Sequence, residues 1–202
     1  MRFFSYRIEH DFGLAPNPFG GYCTLAVCKG QIRNSKKLSI GDWIIGFGTK
    51  SLGVPEKLIY AMRVDEIITF DEYWNDPRFA CKKPIINGSL VQMYGDNFYH
   101  TVNGVVVQED SAHSRNNGAE NEEHKRKDLR GKNVLISTCF YYFGDACIDI
   151  PTRFKPIMGS PRPIKIDSIP EDIRGPFLAW LDSNFQRGVI GDPISWRKHI
   201  QS

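Results

Sequence analysis

The chain has 202 residues, of which 41% are hydrophobic and 24% charged, with a formal net charge of +3. This is globular composition, excluding disordered and fibrous classes, and folding should bury about 24,000 Å², ample for one core. No uncharged apolar run is long enough for a bilayer, and the first residues, MRFFSYRIEH, gain charge too early for a secretory signal, so the expectation is one cytoplasmic domain over residues 1–202 with no membrane partner.

Strand signals dominate the first two thirds. Arg2 to Ile8 alternates Phe4, Tyr6 and Ile8 with Ser5 and Arg7, the period-two pattern of a half-buried strand. Asp11 to Gly21 (DFGLAPNPFGG) holds too many breakers for a regular element, and Tyr22 to Cys28 returns to strand character. Ser39 to Asp42 is a turn launching Trp43 to Phe47, where Gly46 and Gly48 suggest a bulge or a close backbone approach. Leu58 to Ile68 reads as the next strand. Thr69 with Glu72 is capping-box spacing, predicting a short helix from Phe70 to Asn75 that stops before Pro77. Asn103-Gly104 marks a tight hairpin turn before Val105-Val106-Val107. Glu109 to Lys132 is polar enough to form a long exposed loop or a frayed helix, and Asn133 to Phe143 resumes strand. After a proline-rich stretch, Phe177, Leu178, Leu181 and Phe185 recur at helical spacing with Gly188 as the stop; His199 reads as a tail residue. The expected fold class is α+β: a strand-rich, partly closed mixed β-barrel with a few short helices and a C-terminal helix.

The run APNPFGGYCTLAVCK, then IRNS, GDWIIGFG, YAMRVDEIITFDEYW, GDNFYH and NVLISTCFYYFG together resemble the nucleotide modification associated domain, type 2. The resemblance covers roughly residues 1–155, leaving a helical extension at 156–202; within the polar loop at 109–132, the tract from Arg115 to Arg130 is the part least expected to be shared. It implies a nucleotide or nucleic-acid partner, DNA more than RNA, in a DNA-modification or phage-defence setting, and carries no catalytic set. GDWIIGFG with YAMRVDEI and FDEYW is also similar to the core of PUA-like modified-base-binding domains.

Two constellations could serve such a ligand. Asn17, Phe19, Tyr22, Trp43, Phe98 and Tyr99 lie in or beside breaker-rich turns, where aromatic faces could sandwich a base and Asn17 and Asn97 could read its edge. Lys29, Arg33, Lys36 and Lys37 could neutralise phosphates. The same aromatics could equally be core, and the cations a solvated face. The second constellation is Asp96, His100, Asp110, Ser111, His113 and Ser114, with Cys139; imidazole beside carboxylate suits general acid–base work near neutral pH. Turn chemistry is its bland alternative, and the spacings match no metal signature. Of the five cysteines, Cys23-x4-Cys28 and Cys139-x7-Cys147 fit neither a zinc ribbon nor a redox motif, so reduced thiols, no metal and no cofactor are expected. The reading favoured is recognition of a modified nucleobase or nucleotide, with an acid–base enzyme or a protein-interaction module as alternatives.

Overall fold

The computed structural model describes residues 1–158, 164–166 (backbone alone) and 169–197, so His199 lies outside the described residues. In chain order the strands are β1 (Phe3–Ile8), β2 (Cys23–Leu25), β3 (Trp43–Gly48), β4 (Leu58–Arg63), β5 (Glu66–Thr69), β6 (Tyr99–Val102), β7 (Val105–Gln108), β8 (Asn133–Ser137), β9 (Phe140–Tyr142), β10 (Ile164–Ile166) and β11 (Gly188–Val189). The α-helices are α1 (Gly30–Arg33), α2 (Phe70–Asn75), α3 (Leu90–Met93), α4 (Glu122–Asp128) and α5 (Glu171–Asn184). This is a mixed α+β fold in three sheets. No helix among the described residues is long and apolar enough to cross a membrane. The chain divides into two compact units, one of residues 1–12, 39–65 and 137–202, the other of residues 13–38 and 66–136.

The first unit holds the six-stranded sheet, in the order β10-β1-β3-β4-β9-β11. Its edges are β10 and β11, and no closed barrel is found among the described residues. β1 runs parallel to β3 and antiparallel to β10, which makes it an interior strand. Ser5 is as buried as Phe4, so the strand read from the alternation as half-buried is covered on both faces. Phe3, Trp43, Ile45, Phe47 and Tyr141 pack with Phe154, Phe177 and Leu181 in one core, so α5 contributes Phe177 and Leu181 at helical spacing. The pairing of β3 with β4 shifts register between Gly46 and Phe47. A Cβ on Gly46 would sit 2.4 Å from the Tyr60 ring and 2.5 Å from Ile8 Cδ1. Gly46→Ala is therefore expected to cost about 1–3 kcal/mol by overpacking. Chemical denaturation giving wild-type stability would contradict this contact.

The hydrophobic runs read as single strands are each two strands. Leu58 to Ile68 divides at Val64-Asp65 into β4 and β5, and Asn133 to Phe143 divides at Thr138-Cys139 into β8 and β9, with β5 and β8 in a different sheet from β4 and β9. Asp65 fixes the corner: its Oδ2 accepts from Thr138 N at 2.7 Å and from Thr138 Oγ1 at 2.8 Å, while Arg63 N donates to Cys139 O.

The second unit contains the sheet β2-β8-β5 and the hairpin β6-β7. Asn103 and Gly104, both at positive φ, make the hairpin turn. Thr69 and Glu72 form the capping box of α2, and Asp71 on that helix accepts from Thr101 N and Oγ1 on β6. A buried polar layer lies beneath. Asp96 accepts from Thr24 Oγ1 and Tyr73 OH, both at 2.7 Å, and burial raises its carboxyl although Lys82 and these bonds oppose the rise. Lys82, also buried, spends its three donors on Asn17 O, Asn17 Oδ1 and Tyr22 O. The polar tract 109–132 is tied inward: Asn121 caps α4, accepting from Glu123 N and His124 N, and Ser111 and Asp128 are buried.

Candidate functional site

The second unit gathers Cys28, His113 and Asp128. Past β2 the chain continues through buried Ala26 and Val27 into Cys28 (φ 54) and Lys29 (φ 38), consecutive non-glycine residues in the left-handed region, before α1 begins at Gly30. Side chains disfavour that conformation by about 1–2 kcal/mol per residue, so it persists only where surroundings enforce it. Here they do. Cys28 N donates to Asp128 Oδ1 at 2.8 Å, and Cys28 O accepts from Arg33 Nε at 2.8 Å. Gly30 lies so close to the following segment that a Cβ on it would be 2.9 Å from Gly131 N.

Asp128 closes α4 and organises the site. Its Oδ2 accepts from His113 Nδ1 at 2.6 Å and from Tyr99 OH at 3.1 Å. Tyr99 OH in turn accepts from Gln108 Nε2 at 2.8 Å. With Nδ1 committed to the carboxylate, His113 directs Nε2 at Cys28 Sγ, 4.0 Å away. Phe98 and His124 meet the His113 ring edge-on, at 5.8 Å and 4.7 Å between centroids. Thiol, imidazole and carboxylate in series are the nucleophile, acid–base group and orienting group of covalent catalysis.

Burial works against the charged form of His113, but the bond to Asp128 and the contact with Cys28 outweigh it and lift the imidazole to about 10. Burial would raise Asp128, yet His113, the Cys28 amide and Arg33 hold it below the ordinary carboxylate range. Burial and the positive His113 lower His124. At neutral pH the site therefore holds an imidazolium–carboxylate pair facing the sulfur. Because the folded value of His113 exceeds its ordinary 6.5, its contribution to stability is complete below about 6.5 and lost as pH rises through about 10. Urea unfolding across that window should show wild-type stability falling more steeply than that of His113→Gln, by on the order of a few kcal/mol. Parallel profiles would show that the pair is not formed.

A family description, nucleotide modification associated domain 2, matches residues 1–200. The chain belongs to this family. The match extends past residue 155, and the family's name ties it to nucleotide modification. Neither the search of curated proteins nor that of solved structures gave a match.

Of the residues singled out by sequence in this family member, the structure brings His113, Tyr99, Lys29 and Arg33 to one place. Arg33 is fully buried, its guanidinium bonded to Cys28 O, Gly131 O, Asn133 O and Asp128 O, so those donors serve carbonyls instead of phosphates. His100 goes elsewhere: it stacks on Trp74 at 4.0 Å and its Nε2 meets Glu109 Oε1 at 2.7 Å. Asp110 Oδ1 and Ser111 O each lie 2.8 Å from Ser114 Oγ and share its single proton. Asp96 belongs to the Thr24–Tyr73 layer. Asn97 Nδ2 donates to Tyr73 O and Phe79 O, and Tyr22 packs edge-on to Phe79. Trp43 is buried in the core of the first unit, which also contains buried Cys139. Asn17 and Phe19 line a cavity of about 300 Å³ with Cys81, Lys82, Ile85 and Val91. Lys36 and Lys37 are exposed. Sequence reasoning missed Cys28, read as a small hydrophobe, and Asp128, hidden in the charge run EEHKRKD; the only signal was the Cys-Lys-Gly step between a strand and a helix.

Proposed function

We propose that this chain is an enzyme of nucleotide modification in which Cys28 attacks an electrophilic carbon of a nucleobase or nucleotide. The observation that carries the reading is the Cys28–His113–Asp128 series, with the thiol held on a left-handed backbone. Cys28 attacks as the sulfur anion, its proton having passed to solvent. As the sulfur–carbon bond forms, the His113 imidazolium stabilises charge beside it and gives the Nε2 proton to the departing group, and water then cleaves the sulfur–carbon bond to free the product and Cys28. Asp128 keeps the ring oriented through Nδ1. As part of the same proposal, the substrate is DNA-derived and carries a modified base, the setting is DNA modification or phage defence in the cytoplasm, and the protein works as one domain on a PUA-like scaffold. The family's name supports the nucleotide-modification part of this context.

A second reading, recognition without turnover, is favoured by the cavity at Asn17 and Phe19, whose apolar lining by Ile85 and Val91 suits a flat ring. One experiment separates the two. The full chain is incubated with modified and unmodified nucleosides, nucleotides and single-stranded oligodeoxynucleotides, and both small molecules and intact protein are analysed by mass spectrometry. The enzyme reading expects a product, and a covalent adduct mapping to Cys28, both lost in Cys28→Ser. Tight binding with neither product nor adduct across the panel would leave recognition as the function.

A further inference from the structure

The three groups that would carry this chemistry are also donors of the types zinc prefers: a sulfur, an imidazole nitrogen and a carboxylate. One ligand atom from each of Cys28, His113 and Asp128 falls within 4.8 Å of the others. We infer that Cys28 Sγ and His113 Nε2 bind a Zn²⁺ ion between them, Asp128 holding the far ring nitrogen, and that the bound ion blocks the Cys28 sulfur.

Geometry supports it. Zinc–sulfur and zinc–nitrogen bonds of about 2.3 and 2.0 Å at a tetrahedral angle place the two donor atoms about 3.5 Å apart. The observed 4.0 Å between Sγ and Nε2 needs only a small closure. The outer support is already built, since a metal-bound histidine ordinarily gives its other N–H to a carboxylate, and His113 Nδ1 meets Asp128 Oδ2 at 2.6 Å. Tyr99 OH and the Cys28 amide fix that carboxylate in turn. On binding, any protons on the sulfur and on Nε2 pass to solvent, and water fills the remaining positions on the ion. Blocking rests on the reaction-centre reading; binding does not, because it can be measured with no substrate present.

The test uses Co²⁺ as a spectroscopic substitute on the full, metal-free chain. One equivalent should produce a sulfur-to-cobalt charge-transfer band, displaced by Zn²⁺, and the band should vanish in Cys28→Ser and Cys28→Ala but survive in Cys23→Ser, Cys81→Ser and Cys147→Ser. Asp128→Asn should retain the band with affinity weakened about 10–100-fold. On wild-type protein, Zn²⁺ should slow iodoacetamide alkylation of Cys28, read by peptide mapping, at least tenfold relative to Cys81. A wild-type chain without the band, a band that survives loss of Cys28, or Cys28 alkylation indifferent to Zn²⁺ would overturn the site. Zinc binding with no turnover on any substrate refutes only the reaction reading, and turnover indifferent to saturating Zn²⁺ refutes only the blocking.

Discussion

Cys28→Ser should reduce product formation about 10³-fold or more, and His113→Ala should reduce it by about 10²–10⁴-fold, the range removal of a positioned acid–base group usually spans. The double variant should be little worse than the poorer single one, because groups acting on one sulfur fail together. Asp128→Asn should lower kcat with KM nearly unchanged, since an amide can donate to His113 Nδ1 and invert the ring's proton arrangement without touching substrate. His100→Ala should stay within about threefold of wild type, its ring being engaged with Trp74 and Glu109. Steady-state rates on whichever substrate the panel yields provide the measurement. Equal losses at His100 and His113 would remove the case for the Cys28 centre and restore the acid–base alternative read from sequence.

Arg33→Met is expected to be the most damaging substitution for stability, at about 3–5 kcal/mol, because methionine has similar length and no donors. The guanidinium bonds four backbone oxygens from two stretches of chain: Cys28 O on one, and Asp128 O, Gly131 O and Asn133 O on the other, at 2.8, 2.5, 2.7 and 2.8 Å. Each carbonyl left buried and unpaired costs about 1–3 kcal/mol, partly offset by no longer burying a charge. Burial already lowers Arg33 to about 10, yet it remains a cation at neutral pH. Arg33→Lys should recover only part of the loss, since one ammonium cannot span the planar fork. The check is the shift in urea midpoint at constant m-value, and a change below 1 kcal/mol for Arg33→Met would show that these bonds are replaceable.

What the sequence disclosed is mostly what short range decides. Thr69 with Glu72 and Asn103 with Gly104 depend on neighbours a few residues away, and each appears where its pattern placed it; the irregularity at Gly46 appears there too, although its contacts, Tyr60 and Ile8, are distant in sequence. The division of LIYAMRVDEII and NVLISTCFYYF between sheets was not legible, because both halves of each run are apolar enough for a strand and the corner depends on Asp65 reaching Thr138, 73 residues on. The candidate centre is harder still: the Cys28 amide and the Asp128 carboxylate that restrains it are 100 residues apart. Arg33 looked like a phosphate ligand because the donor fork that suits phosphates suits backbone carbonyls equally well.

The main chain passes between the two compact units four times, after residues 12, 38, 65 and 136. Neither unit is therefore a continuous stretch of gene. A recombination event could not transplant the Cys28 centre by moving either stretch of the second unit alone, since residues 13–38 carry the sulfur and residues 66–136 the imidazole and carboxylate. Shuffling must transmit both stretches with the intervening scaffold, and the centre should accordingly be inherited as a single cassette with β3 and β4, two of the six strands of the larger sheet.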